Sequence, residues 1–140
     1  PVIYQLAKEG ISVNVTTLFT LNQAMLAART LENGQRAAKK KAPFPHAVSI
    51  FAGRIADEHG SVTAVRILRD LRDWLDIHNS PVEIIVGSIH TPEDMEAWAM
   101  TGAHILTVPP AILVKSQESS LTKDKVRAFM QDAKKIVETN

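Results

Sequence analysis

Between Gly10 and Gln23 the sequence does two things in immediate succession, and their order limits what the chain can fold into. Ile11, Val13 and Val15 alternate with Ser12, Asn14 and Thr16, the period-2 pattern of a strand with two unlike faces. Asn14 and Thr16 then share a face, a polar pair on an otherwise apolar strand. Thr20-Leu21-Asn22-Gln23 follows as a capping box, with Thr20 as N-cap and Gln23 reaching back to it. A strand that ends in polar side chains and passes straight into a helix is the arrangement on which α/β proteins carry their chemistry.

The alternation recurs along the chain. Gln23 to Leu31 reads as a helix with Ala24, Ala27, Ala28 and Leu31 inward, and Asn33-Gly34 marks its stop. Gln35 to Pro45, with Lys39, Lys40, Lys41, Pro43 and Pro45, reads as an exposed connection whose lysine run is solvated. Ala47 to Phe51 is a second strand. Ser61 caps an amphipathic helix whose stripe is Ala64, Ile67, Leu68, Leu71, Trp74 and Leu75, ended by Asn79-Ser80-Pro81. Val82 to Val86 is a nearly continuous apolar run, as expected of a parallel strand buried on both faces.

Thr91 caps the next helix, with Pro92 at N1, Met95, Trp98 and Ala99 inward and Gly102 as the stop. His104 to Val108 is a fourth strand, and Pro109-Pro110 turns it into a short helix, Ala111 to Lys115. Thr122 caps the last helix, with the stripe Val126, Phe129, Met130, Ala133, Ile136 and Val137. At the other end Val2, Ile3, Leu6 and Ala7 have helical spacing and Gly10 sits as a C′ glycine. Pro1 is then either the N1 proline of a short first helix or a point inside an element whose upstream part is not in this sequence.

Four strand–helix repeats predict right-handed βαβ units and one parallel sheet, in a single domain spanning residues 1–140. The choice lies between an open doubly wound sheet and part of a (β/α)8 TIM barrel. A barrel needs about 200 residues or more, so 140 residues supply half of one. A net charge of +1 gives no long-range field toward nucleic acid or membrane. The lack of cysteine excludes disulfides and thiolate metal sites, and suits a cytoplasmic protein. No apolar run approaches the roughly 20 residues of a membrane span.

The run Lys8 to Ala24, containing Glu9-Gly10-Ile11-Ser12-Val13-Asn14-Val15-Thr16-Thr17, resembles the fifth barrel strand and following helix of the transaldolase family. Val48-Ser49-Ile50-Phe51-Ala52-Gly53-Arg54-Ile55-Ala56-Asp57 resembles that family's S-x-F-x-G-R-x-x-D segment after strand six. Gly87-Ser88 resembles its strand-seven ending, Thr107-Val108-Pro109-Pro110 its strand-eight T-x-P-P, and Leu121-Thr122 its last helix. Four motifs in order and at matching spacing cover nearly the whole chain. The resemblance implies a class I aldolase barrel, of which this chain holds strands 5–8. It implies chemistry in which a lysine on strand four forms a Schiff base with a ketose phosphate and holds a three-carbon dihydroxyacetone unit for an aldose acceptor. On this resemblance that lysine would lie upstream of Pro1. Lys8 matches a helix residue instead, so the chain alone is expected to be inactive.

The same resemblance gives roles to individual residues. Thr16 matches a threonine that positions the catalytic water; otherwise it is a strand hydroxyl bonded to a neighbouring carbonyl. Asn14 matches an asparagine that bonds substrate hydroxyls, or is a satisfied core amide. Ser49 matches a pocket serine, or is a small residue chosen for packing. Arg54 matches the phosphate-binding arginine, a guanidinium placed directly after a strand where it can grip two oxygens; the alternative is an ion pair with Asp57. Ser88 fits as a hydroxyl contact to the same phosphate. His90 stands where relatives more often carry arginine or lysine, which makes that phosphate contact pH-dependent, unless it is an ordinary loop histidine. Phe51 replaces the tyrosine of the sugar-phosphate aldolases and tilts the reading toward transfer. His46, His59, His78 and His104 show no metal-ligand spacing, and no metal or other cofactor is expected.

Two functions are open on these grounds: a transaldolase-like (or fructose-6-phosphate aldolase) half-barrel, and a non-catalytic module that binds sugar phosphates. In either, an isolated half-barrel leaves open edges. The expected partner is a missing N-terminal half or a second copy of the chain.

Overall fold

The structure is a computed structural model that describes residues 1–138, with side chains through Lys135. In chain order the elements are α1 (Val2–Lys8), β1 (Asn14–Leu18), α2 (Leu21–Arg36), β2 (Ala47–Phe51), α3 (Ala52–His59), α4 (Ser61–Ile77), β3 (Glu83–Gly87), α5 (Pro92–Ala99), β4 (Ile105–Leu106), α6 (Pro110–Ser116) and α7 (Ser120–Glu138). The strands pair in parallel in the order β1-β2-β3-β4. The class is α/β, and each crossover joins neighbouring parallel strands.

Register explains which face is buried. Val48 pairs with Ile84 and Ile50 with Val86, and all four side chains are fully shielded from water in one core with Ala24, Leu31, Leu68 and Leu71. That core lies between the sheet and its helices. The opposite face carries Asn14, Thr16, Ser49, Ile85 and Ile105. Of these Asn14, Thr16 and Ile105 are exposed and Ile85 is half-buried. The run from Val82 to Val86 is therefore buried on one face and only half covered on the other. β4 pairs with β3 over two residue pairs alone, much shorter than the expected His104 to Val108.

Two local features depart from simple periodicity. β1 begins at Asn14 rather than Ile11, and its register slips between Val15 and Leu18, with Thr17 at φ 63°. The extra residue is a bulge, and it returns Leu18 to the buried face beside Ile50. In α2 the helix runs through Asn33-Gly34 to Arg36 instead of stopping there. Gly34 is needed for closeness, not termination: a Cβ there would lie 2.6 Å from the Tyr4 carbonyl oxygen and 2.7 Å from Ala7 Cβ, where α1 crosses α2.

Helix ends follow short-range rules. Thr20 and Gln23 form the reciprocal capping box of α2, and Thr91 and Asp94 that of α5. α1 ends with Gly10 at φ 75°, whose N–H bonds to Ala7 while Ile11 N–H bonds to Leu6. Two expected caps are displaced by one or more residues. Gly60, not Ser61, precedes α4. At α7 the Ser119 hydroxyl accepts from Thr122 N–H, so Thr122 lies inside the helix and not at its cap. Ala99 is exposed, and Ala97 takes the partly buried place on α5. Along α7 the stripe Val126, Phe129 and Met130 is exposed; Ile136 and Val137 lie outside the described side chains. Among the described residues no helix is long and apolar enough to cross a membrane.

Two histidines stand just before strands and extend the ladder with their rings. Val13 N–H donates to His46 Nδ1 at 3.2 Å, and Ile84 N–H donates to His104 Nδ1 at 2.9 Å. Burial pushes the His46 imidazole below its ordinary value. Burial does the same to His104, with the Arg72 guanidinium adding to it against the carboxylates of Glu83 and Asp76. His46 has a further reason to stay neutral: protonating Nδ1 would turn an acceptor into a donor facing Val13 N–H. The unfolded chain takes up these protons as pH falls below about 6.5 while the folded chain resists, so stability is full above that pH and declines below it. Urea midpoints measured from about pH 7 to 5 should fall in the native protein. His46→Asn, which keeps an acceptor but cannot titrate, should flatten that decline; an unchanged slope would show that His46 does not set it.

Candidate active site

The side chains with chemical potential gather where β1, β2 and β3 end. Phe19, just past β1, meets Phe51 at the end of β2 edge to face, with ring centroids 5.9 Å apart. These two rings, with Arg54, Asp57 and Glu58 of α3, border a cleft of about 640 Å³. Segment 52–59, unassigned from periodicity, is helical, so Arg54 and Asp57 stand one turn apart on the same side. Arg54 is exposed and makes no ion pair or side-chain hydrogen bond with the described residues. The alternative pairing with Asp57 is not formed. The guanidinium is presented to the cleft with its donors free.

Asp57 turns to His90, whose Nδ1 lies 3.8 Å from its carboxylate. On the other side of the same ring, Nε2 is 2.9 Å from Ser88 Oγ. The backbone N–H of His90 is held by Asp94 at 3.2 Å, so the capping carboxylate of α5 also fixes this loop. Ser88 occupies the left-handed region at φ 63°, uncommon for a residue with a Cβ. Gly53 leaves room for this turn: a Cβ on that residue would sit 1.8 Å from the Ser88 carbonyl oxygen. The first turn of α3 and the turn after β3 are thus pressed backbone to backbone, which brings Arg54, Ser88 and His90 to one end of the sheet.

A second group stands on the uncovered face. Ser49, almost fully buried, donates its hydroxyl to Asn14 Oδ1 at 2.7 Å. Asn14 is exposed and so is not a core amide. Thr16, two residues on and just before the bulge, is exposed with no side-chain partner among the described residues. The residue that sequence reasoning undervalued is Asp57. It entered only as a rival partner for Arg54, and the signal that would have found it is the helical spacing of the two.

A family model described as transaldolase/fructose-6-phosphate aldolase matches residues 1–140. Proteins named probable transaldolase from Streptococcus pyogenes serotype M5 (strain Manfredo), serotype M49 (strain NZ131) and serotype M1 are each 35% identical to the chain over 127 residues. The match covers 91% of this chain and 52% of each relative. The chain therefore spans about half the length of the curated relatives it matches.

The backbone contact at Gly53 can be tested directly. Gly53→Ala forces a methyl into a carbonyl that cannot rotate away, and should destabilise the native protein by about 1–3 kcal/mol or more. Gly87→Ala meets the Phe51 ring at 3.4 Å and Thr107 Oγ1 at 3.7 Å, both side chains at ordinary contact distance, and should cost far less. Equal denaturant midpoints for the two variants would contradict this geometry.

Proposed function

Because the chain belongs to the transaldolase/fructose-6-phosphate aldolase family, we propose that it supplies strands five to eight of a (β/α)8 barrel that transfers a dihydroxyacetone unit between sugar phosphates. The observation that carries this reading is Arg54, a cation with free donors at the C-terminal ends of parallel strands, where barrel enzymes hold their substrates. Arg54 grips the phosphate from one side, and Ser88 and His90 complete the cradle. Asn14 and Ser49, already bonded to each other, offer their remaining donors and lone pairs to the hydroxyls of the sugar. Thr16, unpartnered on the same face among the described residues, holds the water released as a Schiff base forms and consumed as it is hydrolysed. Transfer is favoured over simple cleavage because the end of β2 carries Phe51 packed on Phe19, a pair with no hydroxyl to activate water.

None of the four strands carries a lysine, so the Schiff-base lysine of this reading comes from a part of the barrel outside these residues. The chain alone is inactive on that account. Borohydride reduction of the native protein with fructose 6-phosphate should trap a covalent adduct, and Arg54→Ala should raise KM for the phosphorylated substrate about 10- to 100-fold. A native protein that gives no adduct overturns the Schiff-base reading and leaves a sugar-phosphate-binding module.

The same reading requires cover for the open face and edges. β1 and β4 are edge strands, Ile105 is exposed, and Leu121 and Phe129 on α7 are 67% and 70% exposed. We infer that an N-terminal half-barrel, or a second copy of the chain, closes these surfaces. Intact mass with sedimentation of the native protein distinguishes the two. A well-behaved 15.4 kDa monomer that unfolds cooperatively would overturn both and favour an open doubly wound sheet.

A further inference from the structure

We propose that Asp57 is a positioning residue that acts through His90 to decide whether Ser88 can donate its hydroxyl proton to a bound phosphate. The inference rests on the phosphate-site reading of Arg54 and Ser88 and adds to it a proton that the ligand must recruit. Asp57, His90 and Ser88 form a line, with contacts of 3.8 Å to Nδ1 and 2.9 Å from Nε2. Two features fix that line. Gly53 pins the Ser88 backbone, and Asp94 holds the His90 N–H.

With one proton on the ring, the Asp57 carboxylate draws it to Nδ1, because the other tautomer would aim a lone pair at a negative charge. Nε2 is then an acceptor and takes the only O–H that Ser88 possesses. Ser88 can present nothing but lone pairs to a phosphate oxygen. With two protons on the ring, Nε2–H donates to Ser88 Oγ, and the hydroxyl hydrogen is released to turn toward the ligand. The same proton adds a positive charge beside Arg54. Arginine or lysine in place of His90 would be charged at any working pH and could not make this exchange, whereas imidazole changes charge between about pH 5 and 8.

Charged groups face the ring from both elements packed against it. On α3, Asp57 faces Nδ1, and Arg54 and Glu58 border the same cleft; on α5, Asp94 is occupied with the N–H groups of His90 and Thr91. Arg54 alone opposes protonation. When a phosphate dianion arrives it neutralises that opposition, so ligand binding and proton uptake support each other.

A phosphate monoester itself titrates near pH 6, so the probe is inorganic sulfate, a dianion across the range, with binding to the native protein followed by calorimetry. Sulfate should bind about tenfold more tightly at about pH 6 than at pH 8. Asp57→Asn, which keeps shape and polarity but not charge, should lose most of that gain. Ser88→Ala should lose part of it, and His90→Arg should bind equally at both pH values. A wild-type profile retained in Asp57→Asn or in His90→Arg overturns the inference. Arg54→Ala should bind sulfate poorly at every pH. If it binds as well as wild type, the phosphate-site reading fails and takes the inference with it; if it binds poorly while the wild-type profile is flat, the inference alone falls.

Discussion

Val48, Ile50, Ile84 and Val86 are shut off from water because helices lie over one face of the sheet, and every other property of the molecule is arranged around that one-sided burial. Each such side chain contributes about 1.5–3 kcal/mol relative to exposure. The opposite face has no equivalent cover among the described residues, which lets it carry Asn14, Thr16 and Ser49 without stranding polar groups in an apolar core. Ser49 is the one member of that set that is deeply buried, and it satisfies its hydroxyl on Asn14. The C-terminal ends of the strands open onto α3 and the turn after β3. There the chain places its exposed guanidinium, its hydroxyl and its unburied imidazole.

Backbone contact, more than side-chain packing, makes that end of the sheet a site. Gly53 and Gly34 do the same work at different places, each removing a Cβ so that two segments can touch. At Gly34 the result is a tight crossing of α1 on α2. At Gly53 the result is functional geometry, because the segment that touches it is the left-handed turn at Ser88. A Cβ on Gly53 would fall 1.8 Å from the Ser88 carbonyl oxygen, a main-chain atom with no rotamer with which to yield. Side chains on both segments therefore inherit a fixed separation, the preorganisation that a binding site needs.

The features legible in the sequence were those written in local grammar. Thr20-x-x-Gln23, Thr91-x-x-Asp94 and Gly10 are decided within one helical turn, and the structure forms all three. Misreadings occurred where a distant segment decides the outcome. Asn33-Gly34 has the composition of a helix stop, yet α1 lies against it and the helix continues. The bulge at Thr17 exists so that Leu18 can reach a core built by β2, although the broken alternation Val15-Thr16-Thr17-Leu18 was visible. In the candidate site, Arg54, Ser88 and His90 all lie shortly after the end of a strand, a place that the strand–helix alternation marks. The Asp57–His90 contact has no such mark, since it joins two crossovers and depends on the unrecognised helix between them.

Histidine serves opposite purposes at the two ends of this sheet. Before β2 and β4, His46 and His104 accept backbone N–H groups and are held neutral chiefly by burial, so they act as extra carbonyls in the ladder. Past β3, the exposed ring of His90 lies between the Asp57 carboxylate and the Ser88 hydroxyl. Acidification therefore favours the charged ring at the ligand end and strains the neutral rings at the other. The two demands coexist because β-strands separate them, with stability placed at the N-terminal end and chemistry at the C-terminal end, the division that parallel α/β architecture imposes. A chain using arginine at position 90 would escape this conflict. With histidine there, the proposed phosphate binding and the fold's stability draw on the same proton concentration in opposite directions.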